Sequence, residues 1–340
     1  MTNIRASDAT VVHVIPSYPP SLGGAEKVAQ SLVNMRRCAH RTLVLTSRDP
    51  HELANPAENG FVQRFRALNL ANTKIMPGLA GALLRLPRGA LIHLHIISAF
   101  TPEMVYAAHV LRGTRYVAHL HFDIRTSSSW AGLVLRRVWM PLVLPRVLRA
   151  AEAVAVYTQS QRQVVASEYG VDPSRIVTVR NGIDASFFYH DDRALHARPR
   201  ILFVGRLATE KNLPLLLEAL AGVSERFETT LVGEGPLEDK LRHQTADLGL
   251  ANVHFYGRAD GGELRNVYRA ADIFVLPSKS EGGLSLALIE ALAMGLPAVA
   301  TDLATNRELV VHGENGFLVA PDNPAGLRAA VLEIVEDADR

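Results

Sequence analysis

The chain has 340 residues, too many for one ordinary domain and enough for two of about 150 residues each. Its 36 basic and 34 acidic residues nearly cancel, which excludes the cationic footprint of a nucleic-acid binder. The single Cys38 excludes a disulfide framework and a cysteine zinc site, and suits a reducing cytosol.

The first apolar run, VVHVI, is too short for a signal peptide and lacks its flanks. The longest, around Leu133 to Leu148, is broken by Arg136, Arg137 and Arg146, so no membrane span is expected. These features predict a cytoplasmic protein. In chain order the strand candidates are TVVHVI, RTLVLT, ALIHLH, RYVAHLH, AVAVYT and RIVTV, then RILFVG, ETTLVG, NVHFYG, DIFVLP and PAVAT. Stretches with helical spacing, such as NLPLLLEALAGV and LEDKLRHQTADLG, lie between them. That alternation predicts parallel sheets built from βαβ units. The polar, charged stretch DASFFYHDDRALHARPR, Asp184 to Arg200, reads as a linker. The expected architecture is α/β: two Rossmann-like doubly wound domains, 1–185 and 186–340, facing a central cleft that holds a donor on one wall and an acceptor on the other.

Candidate site residues cluster at strand ends. Gly23-Gly24 follow VIPSYPPSL, where glycines let backbone N–H groups approach a phosphate or sugar; an ordinary tight turn is the alternative. His93 and His95 end one strand and read as packing residues. His119 and His121 end the next, on one face of it, with Asp123 beyond; a strand-end histidine is commonly structural, but these fall at the expected cleft. No further His or Cys cluster with ligand spacing accompanies them, so no metal is expected. Trp130 to Arg149 is apolar and cationic, which suits a lipid surface, a lipid-linked acceptor, or a buried helix with solvated arginines.

In the second half, Gly205-Arg206 closes one strand and Lys211-Asn212 opens the next helix, so Arg206 and Lys211 form a candidate diphosphate clamp. Glu234, within LVGEG, and Arg258, after NVHFYG, are candidate walls of the same pocket. The most informative segment is SKSEGGLSLALIEALAMG, Ser278 to Gly295. Glu281 follows a buried strand, glycines open a loop, and Glu290 rides the first turns of a helix. A helix N-terminus suits a phosphate, whereas the carboxylates suit sugar or ribose hydroxyls. The pattern reads as a nucleotide-sugar site.

Taken in order, these motifs resemble the retaining glycosyltransferases of family 4, with the GT-B fold. The resemblance runs from IPSYPPSLGGAE to HGENGFLVAPDN and includes the element Gly205 to Asn212, in which three to four residues separate G-R from K-N, the N-G-I-D element Asn181 to Asp184, and the acidic segment. It implies that Arg206 and Lys211 neutralise the donor diphosphate, that Glu290 binds the donor ribose, and that Glu281 sits at the donor sugar. It further implies that backbone amides at Leu284, Ser285 and Leu286 meet sugar and phosphate. His121 is implied to contact the donor sugar, with His119 as its substitute, while Gly23 and Gly24 close over the diphosphate. No cofactor or metal is implied. The expected partners are a nucleoside diphosphate sugar and a small-molecule, lipid-linked or glycan acceptor, with peripheral contact at the inner membrane face as the membrane option. A non-catalytic nucleotide-sugar or glycan-binding protein of the same fold is the alternative. Two departures stand out. Eight residues, not the family's seven, separate Glu281 from Glu290, and Ala304-Thr305 replaces a common glycine pair. The only D-x-D, Asp337 and Asp339, lies in the polar tail.

Overall fold

A computed structural model describes residues 10–19, 23–36, 41–48, 61–70, 73–121, 137, 140–188 and 196–338. Cys38, Asp123, residues 130–136, Val138, Trp139 and Asp339 lie outside the described residues. The chain divides into two compact units, Met1–Arg180 and Asn181–Arg340.

In the first unit, β1 (Thr10–Val14), α1 (Gly24–Arg36), β2 (Arg41–Ser47) and β3 (Val62–Phe65) are followed by a small hairpin, β4 (Leu68–Leu70) and β5 (Thr73–Ile75). Then come α2 (Pro77–Leu83), β6 (Leu91–Ile96), α3 (Thr101–Arg112), β7 (Arg115–Leu120), α4 (Leu144–Ala150), β8 (Ala153–Val156), α5 (Gln159–Ser167) and β9 (Ile176–Thr178). The sheet order is β3-β2-β1-β6-β7-β8-β9, with every pairing parallel.

The second unit runs β10 (Arg200–Val204), α6 (Leu213–Leu220), β11 (Glu228–Val232), α7 (Glu238–Asp247), β12 (Val253–Gly257) and α8 (Gly261–Arg269). It continues with β13 (Ile273–Leu276), α9 (Leu286–Ala293), β14 (Ala298–Thr301), β15 (Gly316–Val319) and α10 (Pro324–Ala338). Its sheet is β12-β11-β10-β13-β14-β15, again all parallel. Both sheets are doubly wound, as the alternation predicted. β13 shows why its sequence reads as a continuous apolar run: all four residues are buried, as in a parallel strand covered on both faces. The sequence pattern did not reveal β3, the hairpin or β15. VQRF carries two polar residues in four, and the hairpin strands are only three residues long.

Side chains tie each unit together. Asp272 is buried ahead of β13, accepting from the Arg200 backbone N–H at 2.7 Å and lying 2.9 Å from His196 Nδ1, which pins the start of β10 to β13. From α10, Arg328 donates to the carbonyls of Ala219 and Ala221 at 2.7 and 2.8 Å, satisfying groups that the end of α6 leaves without intrahelical partners. In the first unit, Leu144, Pro145, Val147 and Leu148 of α4 are buried, while Arg146 and Arg149 are exposed. For these residues the apolar face belongs to the core rather than to a lipid surface. Among the described residues no helix is long and apolar enough to cross a membrane.

Candidate functional site

In the second sheet, β10 and β13 are neighbours, yet the chain leaves β10 toward β11 on one side and β13 toward β14 on the other. Ligands of open α/β sheets bind at such a switch point, beyond the carboxyl ends of the strands. The loops after these two strands carry most of the predicted residues.

The loop after β10 is zipped to its neighbours by backbone. Gly205 N–H donates to Val232 O at 2.9 Å, Leu207 N–H to Glu234 O at 3.0 Å, and Gly233 N–H to Gly257 O at 2.7 Å. The glycines are dictated by this approach. A Cβ on Gly233, which has φ +134°, would sit 1.9 Å from Gly205 O, and one on Gly235 would sit 2.3 Å from Leu207 O. Within the loop, Arg206 is exposed, and its side chain makes no hydrogen bond or ion pair among the described residues. Lys211 differs. Its Nζ donates to both carboxylate oxygens of Glu281, at 2.7 and 2.8 Å. The side chains are 18% and 6% exposed, so the ion pair is largely shielded from water. The residue after Lys211, Asn212, turns the chain into α6 in the left-handed region, with φ 50°.

After β13, the extra residue is absorbed in bends at 282–284, ahead of a normally capped helix. Ser285 is the N-cap of α9, its hydroxyl 3.4 Å from Leu288 N. Leu284 is held by the N-G-I-D element, whose Asn181 Nδ2 donates to Leu284 O at 3.0 Å. Glu281, one residue out of the family spacing, lands on Lys211. Glu290 is buried in α9, where the Tyr268 hydroxyl donates to its Oε2 at 2.9 Å. Burial, reinforced by the Glu290 charge, raises the Tyr268 pKa well above the ordinary phenol value, so the hydroxyl stays a donor. Phe187, just after the N-G-I-D element, packs edge-on against Tyr268, with ring centroids 5.9 Å apart. Tyr268 is a site residue that sequence reasoning missed. It lies on α8, and nothing in its spacing to Glu290 reveals the contact.

Glu234 and Arg258 sit at the ends of β11 and β12. Both are exposed, and Arg258 lies 3.6 Å from Asp260 Oδ2. The second unit therefore brings together Arg206, Lys211, Glu281, the Leu284–Leu286 backbone and Glu290. The first unit carries Gly23, Gly24 and His121. Gly24 opens α1, and a Cβ on Gly23 would meet only the flexible carboxylate end of Glu26, at 2.3 Å.

His121 belongs to a larger feature. The register pairs His13 with His93 and His95 with His119. Successive residues of a strand alternate faces, so His93 and His95 share a face, as do His119 and His121. Five imidazoles from β1, β6 and β7 consequently stand on one face of the sheet, with stacked or tilted rings. His13 Nδ1 lies 3.0 Å from His95 Nε2, His95 Nδ1 lies 2.8 Å from His121 Nε2, and His121 Nδ1 lies 2.6 Å from the Tyr157 hydroxyl. His93 Nε2 lies 3.3 Å from His119 Nδ1. Burial first, and then neighbouring histidines, lowers the pKa of His13 and of His121 to about 3 and holds His95 and His119 well below the ordinary value. His13, His95, His119 and His121 are neutral at pH 7. Two trios, His13–His93–His95 and His95–His119–His121, place donor atoms within 4.8 Å of one another. Those trios contain no carboxylate, and most of their nitrogens already bond one another. Spacing along the chain could not show this row, because its members come from three strands.

The two units and the switch-point site define a GT-B-fold glycosyltransferase. Residues 22–187 match the family model described as Glycosyltransferase Family 4, and residues 198–337 match the one described as Glycosyl transferases group 1. The chain belongs to the group 1, family 4 glycosyltransferases. It is 28% identical over 341 residues to the D-rhamnosyltransferase WbpZ of Pseudomonas aeruginosa, covering 94% of this chain and 85% of that one. It is 35% identical over 172 residues to a phosphatidyl-myo-inositol mannosyltransferase of Mycolicibacterium smegmatis, covering 48% of this chain and only 44% of the relative. Among solved structures, Anabaena HepE in complex with UDP aligns with TM-score 0.77 at 21% identity, covering 96% of this chain and 90% of that one. Sucrose-phosphate synthase of Thermosynechococcus elongatus aligns with TM-score 0.74 at 20% identity, covering 98% and 90%.

Proposed function

We propose that the protein transfers a sugar from a nucleoside diphosphate sugar to a hydroxyl or amine acceptor, with retention at the anomeric carbon and without a metal. The observation that carries this reading is the set of groups at one switch point. A guanidinium without an internal partner, Arg206, is available to a diphosphate. A buried carboxylate, Glu290, is oriented by Tyr268 and suited to ribose hydroxyls. The capped N-terminus of α9 adds a positive dipole end for phosphate. Solved relatives of the fold are described with UDP and with UDP-glucose, which supports a donor of this class.

In the proposed reaction the acceptor attacks from the face the diphosphate leaves. The bond from the anomeric carbon to the diphosphate breaks, the bond to the acceptor forms, and the acceptor proton passes to a departing phosphate oxygen. The protein contributes orientation and charge stabilisation of the leaving group. Arg206 supplies a planar fork. Lys211 supplies a point charge that Glu281 orients and holds until a diphosphate competes for it. Glu281 thereby acts on Lys211 before it acts on any sugar. The acceptor is a small molecule, a lipid-linked group or a glycan.

Calorimetric titration with UDP, GDP, ADP and TDP, without added metal, tests this reading. One nucleotide should bind, and both Arg206→Ala and Glu290→Ala should weaken it by about ten-fold or more, as expected for losing a charged hydrogen bond. Binding by none of the four to the wild type would refute the donor site and leave the non-catalytic alternative.

A further inference from the structure

The histidine row contains a continuous hydrogen-bonded path, Tyr157–His121–His95–His13, with links of 2.6, 2.8 and 3.0 Å. A neutral imidazole has one N–H and one lone pair, so only two proton arrangements satisfy all three links. Either the phenol donates to His121 Nδ1 and every ring is the Nε2–H tautomer, or His13 begins the chain and every ring is Nδ1–H. The chemistry of the two ends distinguishes them. A phenol is the stronger acid and the poorer acceptor of the two groups. The reverse arrangement would leave its hydrogen without an acceptor among the described residues, in a residue that is 3% exposed.

We propose that Tyr157 is a positioning residue that fixes His121, and through it His95 and His13, in the Nε2–H tautomer. Two consequences follow for His121. Both of its ring nitrogens are occupied, and its backbone N–H donates to Ile96 O at 3.0 Å. It therefore presents a fixed, neutral ring rather than an acid, a base or a ring-nitrogen ligand. The path ends at His13 Nε2, a buried nitrogen with no partner among the described residues: the forward arrangement leaves that one N–H unmatched, whereas the reverse leaves both its lone pair and the phenol hydrogen unmatched. A metal is disfavoured, because a cation would have to take nitrogens that the path already uses. The contribution to turnover rests on the reading that His121 lies at the donor sugar; the tautomer assignment does not.

Long-range proton–nitrogen NMR on protein with 15N-labelled histidine tests the path in the wild type, without any variant. His121, His95 and His13 are expected as Nε2–H. In Tyr157→Phe the anchor is lost, and all three should move together toward a mixture of tautomers. Nucleotide affinity should stay within about two-fold while kcat falls about three- to ten-fold, the effect of one buried hydrogen bond. The proposal is overturned if the wild-type rings are Nδ1–H, if the three rings do not respond together, or if one equivalent of zinc shifts their nitrogens as ligands. An unchanged kcat alongside altered tautomers would overturn the positioning role. If the wild type transfers sugar from no donor, the functional reading has failed, and the NMR still decides the path.

Discussion

Mild acid should destabilise the first unit selectively. In the unfolded chain His13 and His121 titrate near pH 6.5, whereas in the folded protein they titrate at about 3. The folded pKa values are depressed because the folded protein resists adding a proton. Above pH 6.5 the groups are neutral in both states and the stability is fully present. Below it the unfolded state gains protons that the folded state refuses, and stability falls by about 1.4 kcal/mol per pH unit for each histidine, down to about pH 3. At pH 5.5 the two together cost about 3 kcal/mol. His95 and His119 shift in the same direction and add to this. The loss is a large share of the roughly 5–15 kcal/mol that holds a domain together. For a unit of this size it lowers Tm by about 6–12 °C. Both tryptophans, Trp130 and Trp139, belong to the first unit by sequence, so their fluorescence during thermal melts at pH 7.5, 6.5 and 5.5 is the assay. A His13→Gln variant should show a shallower slope. A first-unit Tm that stays constant from pH 7.5 to 5.5 would refute the assignment of His13 and His121 as neutral, buried imidazoles.

Replacing Lys211 by Met leaves the Glu281 carboxylate buried without its partner, and should cost the second unit about 3 kcal/mol in denaturant melts. Adding Glu281→Gln should recover most of that stability but not sugar transfer; recovery of both would show that the pair is purely structural. Tyr268→Phe removes the donor to Glu290 and should destabilise the second unit by about 1–3 kcal/mol while weakening nucleotide binding. Unaltered nucleotide affinity would separate Glu290 from the donor. Gly233→Ala places a methyl 1.9 Å from Gly205 O at a positive φ, and should cost more than about 3 kcal/mol or prevent folding. A soluble variant with a native melting curve would contradict the close packing of the two loops.

What was legible in the sequence was local. Alternating apolar runs and helical spacings named most strands and the doubly wound class, because the side-chain periods of strands and helices are properties of a single segment. Motif order placed Arg206, Lys211, Glu281 and Glu290 at strand and helix ends for the same reason. The departure in spacing between the two glutamates was visible too, but not its result: only the folded loops show Glu281 meeting Lys211. Gly233 and Gly235 read equally well as a pocket wall; their closeness to the β10 loop shows them to be positions where no side chain fits. Tyr268 and Tyr157 carried no signal, since each acts through a contact far along the chain. The histidine row makes the division plainest. Strand periodicity puts His93 beside His95 and His119 beside His121, but strand order and register bring the two pairs together and add His13. Those depend on how helices cover both faces of the sheet, and therefore on the burial of the whole unit rather than on any one stretch of residues.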